Sequence, residues 1–240
     1  MPSPFALAIN LSFTDFATPM KYKTRVWDLP TRIFHWALLL CVISMVATAS
    51  IGGNAMTWHF RGGYVILSLL LFRLVWGLVG GRWSRFASFI YAPSTLMGYL
   101  KGLGKPEHSV GHNPLGAGSV FALLFFLLAQ VGTGLFSDDE IASSGPLSKF
   151  VANATVSAAT SYHKNIGKYV LIVLVVLHVG AVLFYLYKKK ENLIAPMIHG
   201  DKHLVTDVGS SRDDTYSRVT AAIIFSLCAA AVATLVKLAG

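Results

Sequence analysis

The sequence predicts an all-α integral membrane bundle, a four-helix core with a fifth, carboxyl-terminal transmembrane helix. Three observations predict it. Of 240 residues, 54% are hydrophobic and 13% are charged, against about 25% charged in an ordinary soluble domain. The apolar residues gather in five runs, 33–51, 62–78, 115–136, 166–187 and 219–235, each near the roughly 20 residues a helix needs to cross a ~30 Å hydrocarbon core. The net charge of +9 sorts by connection instead of spreading along the chain.

That sorting gives an orientation. Lys21, Lys23, Arg25 and Arg32 precede the first span. Arg82, Arg85, Lys101 and Lys105 lie between the second and third. Lys188, Lys189, Lys190, Lys202, Arg212 and Arg218 lie between the fourth and fifth. The other connections hold Arg61, then Asp138, Asp139, Glu140, Lys149 and Lys164. By the positive-inside rule the amino terminus is cytoplasmic and the carboxyl terminus lies outside. Topology accounts for the basic balance, so nucleic acid is not expected as a partner. Five spans leave no stretch for a soluble catalytic domain of about 100 residues. The chemistry therefore sits in the membrane or comes from a partner.

Residues 1–20 form an amino-terminal tail. "MPSPFALAINLSF" is apolar, but no basic region precedes it and it is too short to span. It reads as a disordered or interfacial segment, with Met20 as an alternative start. Residues 21–205 form the core domain and residues 206–240 the fifth-helix region. The loop from Gly80 to Pro114 is basic and broken by Pro93 and Pro106, and "FASFIYAPSTLMGYLKG" suits an amphipathic piece on the inner surface. The outer loop from Ser137 to Tyr162 carries the acidic cluster, and residues 191–218 read as a polar cytoplasmic connection. Cys41 and Cys228 both fall in spans and read as small packing residues.

Four of eight histidines lie in or at the ends of spans. His108, His112, His199 and His203 fall in inner loops and read as solvated or locally hydrogen-bonded. His163 and His178 are 15 residues apart, which is about 22 Å of helix rise with roughly 60° of rotation. One helix thus offers an imidazole near each membrane surface. His35 sits at the inner level of the first span, and His59 at the outer mouth of the second. The four sort by depth into His35 with His178 inside and His59 with His163 outside. Two histidines at one depth on different helices suit an axially coordinated haem iron, and two levels suit two haems.

The glycines repeat the two levels. Gly116 and Gly118 lie at the inner end of the third span, and Gly132 and Gly134 at its outer end. Gly62, Gly63 and Gly167 sit beside the outer pair. Small residues let backbones approach a flat group. Haem propionates want cations: Arg61 and Lys164 flank the outer pair, and Arg32 and Arg73 serve the inner one. Arg73 lies inside the second span, where a charge is a functional candidate by default.

The motifs "RVWDLPTRIFHW" (25–36), "HFRGGYVILSLLLFRLVWG" (59–77), "GHNPLGA" (111–117), "TGLFSDDEIASSGPL" (133–147) and "YHKNIGKYVLIVLVVLHV" (162–179) resemble the bacterial cytochrome b561 and nickel–iron hydrogenase b-type cytochrome family. "KKKENLIAPMIHGDK" (188–202) resembles its stand-alone di-haem branch. The resemblance implies two non-covalent b haems, with His35 and His178 as one pair of axial ligands and His59 and His163 as the other. It implies an inner-membrane protein exchanging electrons between quinone or quinol and a redox partner, such as a periplasmic c-type cytochrome. The chain then acts as an electron-transfer protein or oxidoreductase subunit rather than a stand-alone enzyme, and an oligomer is compatible with this. Arg25, Arg32 and Lys101 are candidates to assist a quinone near the inner haem. Three rivals stay open. One is a self-sufficient quinone oxidoreductase for a small oxidant such as superoxide or ferric chelates. Another is a proton-coupled transporter using His35, His178 and Arg73 as a relay. The third is a non-catalytic membrane anchor for another subunit.

Overall fold

The computed structural model describes residues 21–139 and 143–239. The tail over residues 1–20 and Glu140 of the acidic cluster lie outside the described residues.

A short strand, β1 (Tyr22–Arg25), leads into α1 (Leu29–Ile51). Asp28 stops the strand and starts the helix: its carboxylate accepts from the Thr31 N–H at 2.8 Å, and Pro30 occupies the first turn, where no N–H is needed. After a turn through Gly52 and Gly53, both at positive φ, α2 (Ala55–Val79) returns across the bundle. The basic loop then carries α3 (Pro93–Leu100), a short helix with no buried residue. Next, α4 (Pro114–Phe136) begins at Asn113, whose side chain accepts from the Gly116 N–H at 2.7 Å.

The fourth span differs from its expected start. α5 (Asn153–Ser161) runs without a break through a π turn (Tyr162–Gly167) into α6 (Lys168–Tyr187). The resulting 35-residue helix spans Asn153–Tyr187. Hydropathy detects only its apolar part, whereas the polar Ala-rich stretch before Tyr162 continues the helix by propensity. Then come α7 (Ile194–His199), β2 (Asp201–Leu204) and α8 (Thr215–Ala239). Among the described residues, five helices are long and apolar enough to cross a membrane.

The buried core centres on α2. Ile66, Leu69, Leu70, Phe72 and Trp76 pack with Phe34 of α1, with Leu124, Leu127 and Val131 of α4, and with Ala221 of α8. Phe72 stacks on Trp76 at 5.8 Å and meets the Phe225 ring edge-on at 6.1 Å, which docks the fifth span on the second. α6 is different. It packs on α4, yet none of its 20 residues is buried.

One end of the bundle carries a polar cap that joins distant parts of the chain. β1 pairs antiparallel with β2, Tyr22 opposite Leu204 and Arg25 opposite Asp201, over a small core of Val26, Trp27, Val110 and Leu204. Asp213 gathers the Leu29 N–H at 3.0 Å and the guanidinium groups of Arg218, Arg25 and Arg32 at 3.1, 3.3 and 3.7 Å. Three successive carbonyls at the end of α7 are also held. Met197 accepts from Trp36 Nε1 at 3.1 Å, Ile198 from Arg32 Nη1 at 2.6 Å and His199 from Arg25 Nη1 at 2.8 Å. The connection that reads as merely polar is thus folded against the start of α1.

Beneath the cap lies a fully buried carboxylate, Asp28. Besides capping α1 it accepts from Ser84 Oγ at 2.7 Å, the Gly81 N–H at 3.1 Å and Trp76 Nε1 at 3.2 Å. A side chain at Gly81 would collide with the Asp28 carboxylate, so that close approach needs glycine.

Candidate functional site

Two pairs of imidazoles face each other across the space between helices. At the cap end, His35 on α1 meets His178 on α6, with ring centroids 6.4 Å apart and planes inclined at 51°. At the far end, His59 in the first turns of α2 meets His163 in the π turn, with centroids 6.1 Å apart and planes at 81°. An iron bound by one nitrogen of each ring at about 2 Å a side puts the centroids roughly 6 Å apart. Both pairs match that spacing.

The far pair has its rings oriented by the main chain. His163 Nδ1 lies 2.8 Å from the Gln130 carbonyl, and His59 Nδ1 lies 3.2 Å from both the Met45 carbonyl and Thr48 Oγ1. A carbonyl only accepts, so Nδ1 carries the proton in each ring and the Nε2 lone pair is left for a metal. His163 owes its position to the π turn, a local widening often found at functional sites. Gln130 donates through Nε2 to the His163 carbonyl at 3.0 Å and so engages a main-chain acceptor of that turn. The Gly134 position is tight: a Cβ there would stand 3.0 Å from the His163 ring.

At the cap end, His35 Nδ1 is sealed from solvent with no partner among the described residues. Gly63, Gly118 and Gly132 all have open space where a side chain would be, whereas Gly116 lies beside the Asn113 cap. Paired imidazoles at iron-spanning separation at both levels, ring N–H groups on main-chain acceptors at the far one and an orphaned buried nitrogen at the cap one fit a flat, doubly ligated group at each.

The expected cations are placed unequally. Arg61 and Lys164 are exposed at the far end, Arg61 over the Trp58 ring at 5.2 Å. Arg32 is partly buried in the cap, and its Nε has no partner among the described residues. Arg73 is 3% exposed. It donates to the Ser84 carbonyl at 2.9 Å and lies over Phe86 at 4.9 Å, so Ser84 links it to Asp28. Gln130, Thr48 and the Met45 carbonyl escape sequence reasoning. Gln130 alone left a sign, as an amide within an otherwise apolar span. His112 also departs from the solvated loop expectation. It is wedged between Trp27 and Phe89, whereas His108 keeps a local bond, accepting the Lys105 N–H at 3.2 Å.

Fold and site together define a multi-pass membrane bundle that presents two facing imidazole pairs. The family described as prokaryotic cytochrome b561 matches residues 26–200, and the chain belongs to that family. Its cofactor class is accordingly haem b, and it is a multi-pass inner-membrane protein. The chain is 28% identical over 135 residues to a probable Ni/Fe-hydrogenase 1 B-type cytochrome subunit of Escherichia coli (strain K12), covering 45% of this chain and 57% of that relative. It thus spans little more than half of that protein's length. A probable Ni/Fe-hydrogenase B-type cytochrome subunit of Bradyrhizobium diazoefficiens is 23% identical over 213 residues, covering 74% of this chain and 85% of the relative. One of Azotobacter chroococcum is 24% identical over 239 residues, covering 81% and 95%. No solved structure matches the chain.

Proposed function

We propose that the chain is a di-haem b-type cytochrome that carries electrons across the membrane between the quinone pool and a redox partner on the far side. The observation that carries this reading is the pair of imidazole separations, 6.4 Å and 6.1 Å, at opposite ends of one bundle. His35 and His178 would hold one iron, and His59 and His163 the other. When bound, the two haems supply one-electron chemistry at two depths.

The protein's part is to bind, orient and shield. Gln130, Met45 and Thr48 fix the far-end imidazoles in the tautomer that offers Nε2. Gly63 and Gly132 at the far level, and Gly118 at the cap level, keep side chains out of the space the macrocycles need, whereas Gly116 serves the close approach of the Asn113 cap. Arg61 and Lys164 attract propionate charge at the far surface, and Arg32 and Arg73 do so at the cap. Two histidines per iron would leave no position on it for oxygen, which disfavours oxygen binding and activation. The cap end is cytoplasmic by the distribution of Lys and Arg, and the carboxyl terminus is periplasmic. Quinone is served at the cap level. Asp138 and Asp139 at the far surface favour a partner with a basic docking face, such as a periplasmic c-type cytochrome. The hydrogenase subunit names of the relatives support assembly with another redox protein.

The deciding experiment is a dithionite-reduced minus oxidised spectrum of the purified protein with a pyridine haemochrome titration. About two b haems per chain is the expected result. A colourless protein under adequate haem supply overturns the reading, and one haem per chain overturns the two-level assignment.

A further inference from the structure

Three nitrogen atoms in the cap-end half of the protein are sealed without a partner among the described residues: His35 Nδ1, Arg32 Nε and His112 Nδ1. His112 belongs to neither imidazole pair. It ends the loop that runs into α4, next to the Asn113 cap. Its ring lies between Trp27, at 4.6 Å, and Phe89, at 4.4 Å, centroid to centroid. Two aromatic neighbours fix the plane of the imidazole but satisfy none of its polar atoms. The Tyr91 hydroxyl, which reaches the residue at 2.8 Å, bonds only its main-chain carbonyl.

The charges acting on His112 place it beside the cap-end pair. Burial first, then Arg73, His178 and His35, hold its pKa down to about 3. The ring is therefore neutral at physiological pH, with one N–H and one lone pair. Of these three neighbours only Arg73 carries a charge, and no carboxylate is among them. The one orphaned oxygen at this end among the described residues, Asp213 Oδ2, already faces the guanidinium groups of Arg25 and Arg32 at 3.3 and 3.7 Å, which leaves the His112 nitrogen without it. What is missing is an acceptor, and a positive neighbourhood favours an anionic one. A haem brings two carboxylates, and one held by His35 and His178 would supply such an acceptor.

We propose that His112 is a haem-binding residue, donating its Nδ1–H to a propionate of the haem that His35 and His178 ligate. The assignment rests on those two histidines forming one ligand pair. A carboxylate close to the iron favours the ferric state, and a hydrogen bond donated to it weakens that preference. His112 therefore raises the midpoint potential of this haem and leaves the other unaffected.

The test is a redox titration of the full-length, haem-loaded protein in detergent. His112→Phe keeps an aromatic ring in the slot and removes the donor, and His112→Gln keeps an N–H. The expected result for Phe is up to a tenfold fall in the reduced-to-oxidised ratio of one haem at fixed potential, about 59 mV for a one-electron couple. Gln restores most of it, and the second haem titrates as in the wild type. Loss of that one haem from the Phe variant with retention in the Gln variant supports the proposal equally. Unchanged potentials in the Phe variant, equal shifts in both variants, or haem loss from both assign His112 to packing and overturn it. His35→Ala serves as a separate control. If that change fails to remove one haem selectively, the ligand assignment beneath the proposal falls.

Discussion

The imidazole of His163 gives its Nδ1–H to the carbonyl of Gln130 across 2.8 Å, and the Gln130 amide returns a bond to the His163 carbonyl at 3.0 Å. This reciprocal pair ties α4 to the π turn and fixes both the height and the tautomer of one ligand. Gln130→Leu keeps the volume and breaks the returned bond. The expected effect is a loss of about 1 kcal/mol of stability and a roughly 10–100-fold weaker hold on the far-end haem. Haem retention through repeated gel filtration, compared with the wild type, measures it. Equal loss of both haems would contradict the local role.

Substitutions at the histidines separate by pair. His59→Ala and His163→Ala should each yield protein with about one haem, and the double variant should resemble either single. His35→Ala and His178→Ala should remove the other haem. Electron paramagnetic resonance of the oxidised variants distinguishes the two low-spin centres. Removal of the same centre by His35→Ala and His59→Ala would break the pairing.

Asp28 carries a structural load out of proportion to its place in a short connection. Asp28→Ala orphans the Thr31, Trp76, Gly81 and Ser84 donors. Such a change costs on the order of 3–5 kcal/mol. A fall of several degrees in the thermal midpoint of the haem-loaded protein is expected, followed by fluorescence or Soret loss. An unchanged midpoint would show that water replaces the carboxylate at this node.

The cap has a pH signature. Burial opposes ionisation of Asp213, but the Arg218 hydrogen bond, the Leu29 N–H and the charges of Arg218 and Arg25 outweigh it and hold the carboxyl below its ordinary range. A carboxyl depressed in the folded state stabilises it above the unfolded pKa of about 3.9, and that contribution is lost as pH falls through the lower folded value. Asp213→Asn should therefore reduce thermal stability at pH 7. The gap between variant and wild type should close as pH falls below about 4. A gap that does not narrow at all between pH 7 and pH 3 would assign the effect of Asp213 to hydrogen bonding alone.

The sequence exposes the parts of this protein that obey a period. Five apolar runs mark the spans, and the interval from His163 to His178 marks two depths, because both follow from helix rise and hydrocarbon thickness. The cap has no period. Ser211 reaches the Val26 carbonyl at 2.8 Å across 185 positions of chain, and Asp213 joins its neighbour Arg218 to Arg25 and Arg32 from the start of the chain. Asp28 reads as an ordinary helix cap, and nothing local shows that Trp76, Gly81 and Ser84 converge on it. The π turn is invisible for a related reason, since the bond from Gln130 that engages it comes from another helix. His112 misleads because a loop histidine usually meets water, whereas here Trp27 and Phe89 close over it.

The three carbonyls at the end of α7 have a mechanical meaning. Their donors, Trp36, Arg32 and Arg25, belong to the start of α1 and the strand before it, while α7 hangs from the end of α6 by a short connector. The segment therefore acts as a tie-rod between the helix that carries His35 and the helix that carries His178. Direct packing does little to set the width of that gap, because α6 buries no residue of its own. The tie-rod acts on it from below and so helps hold the two imidazoles at their separation. Lengthening the connector over residues 188–193 would slacken the rod and let the ligands drift apart, although neither helix would lose a contact in the hydrocarbon.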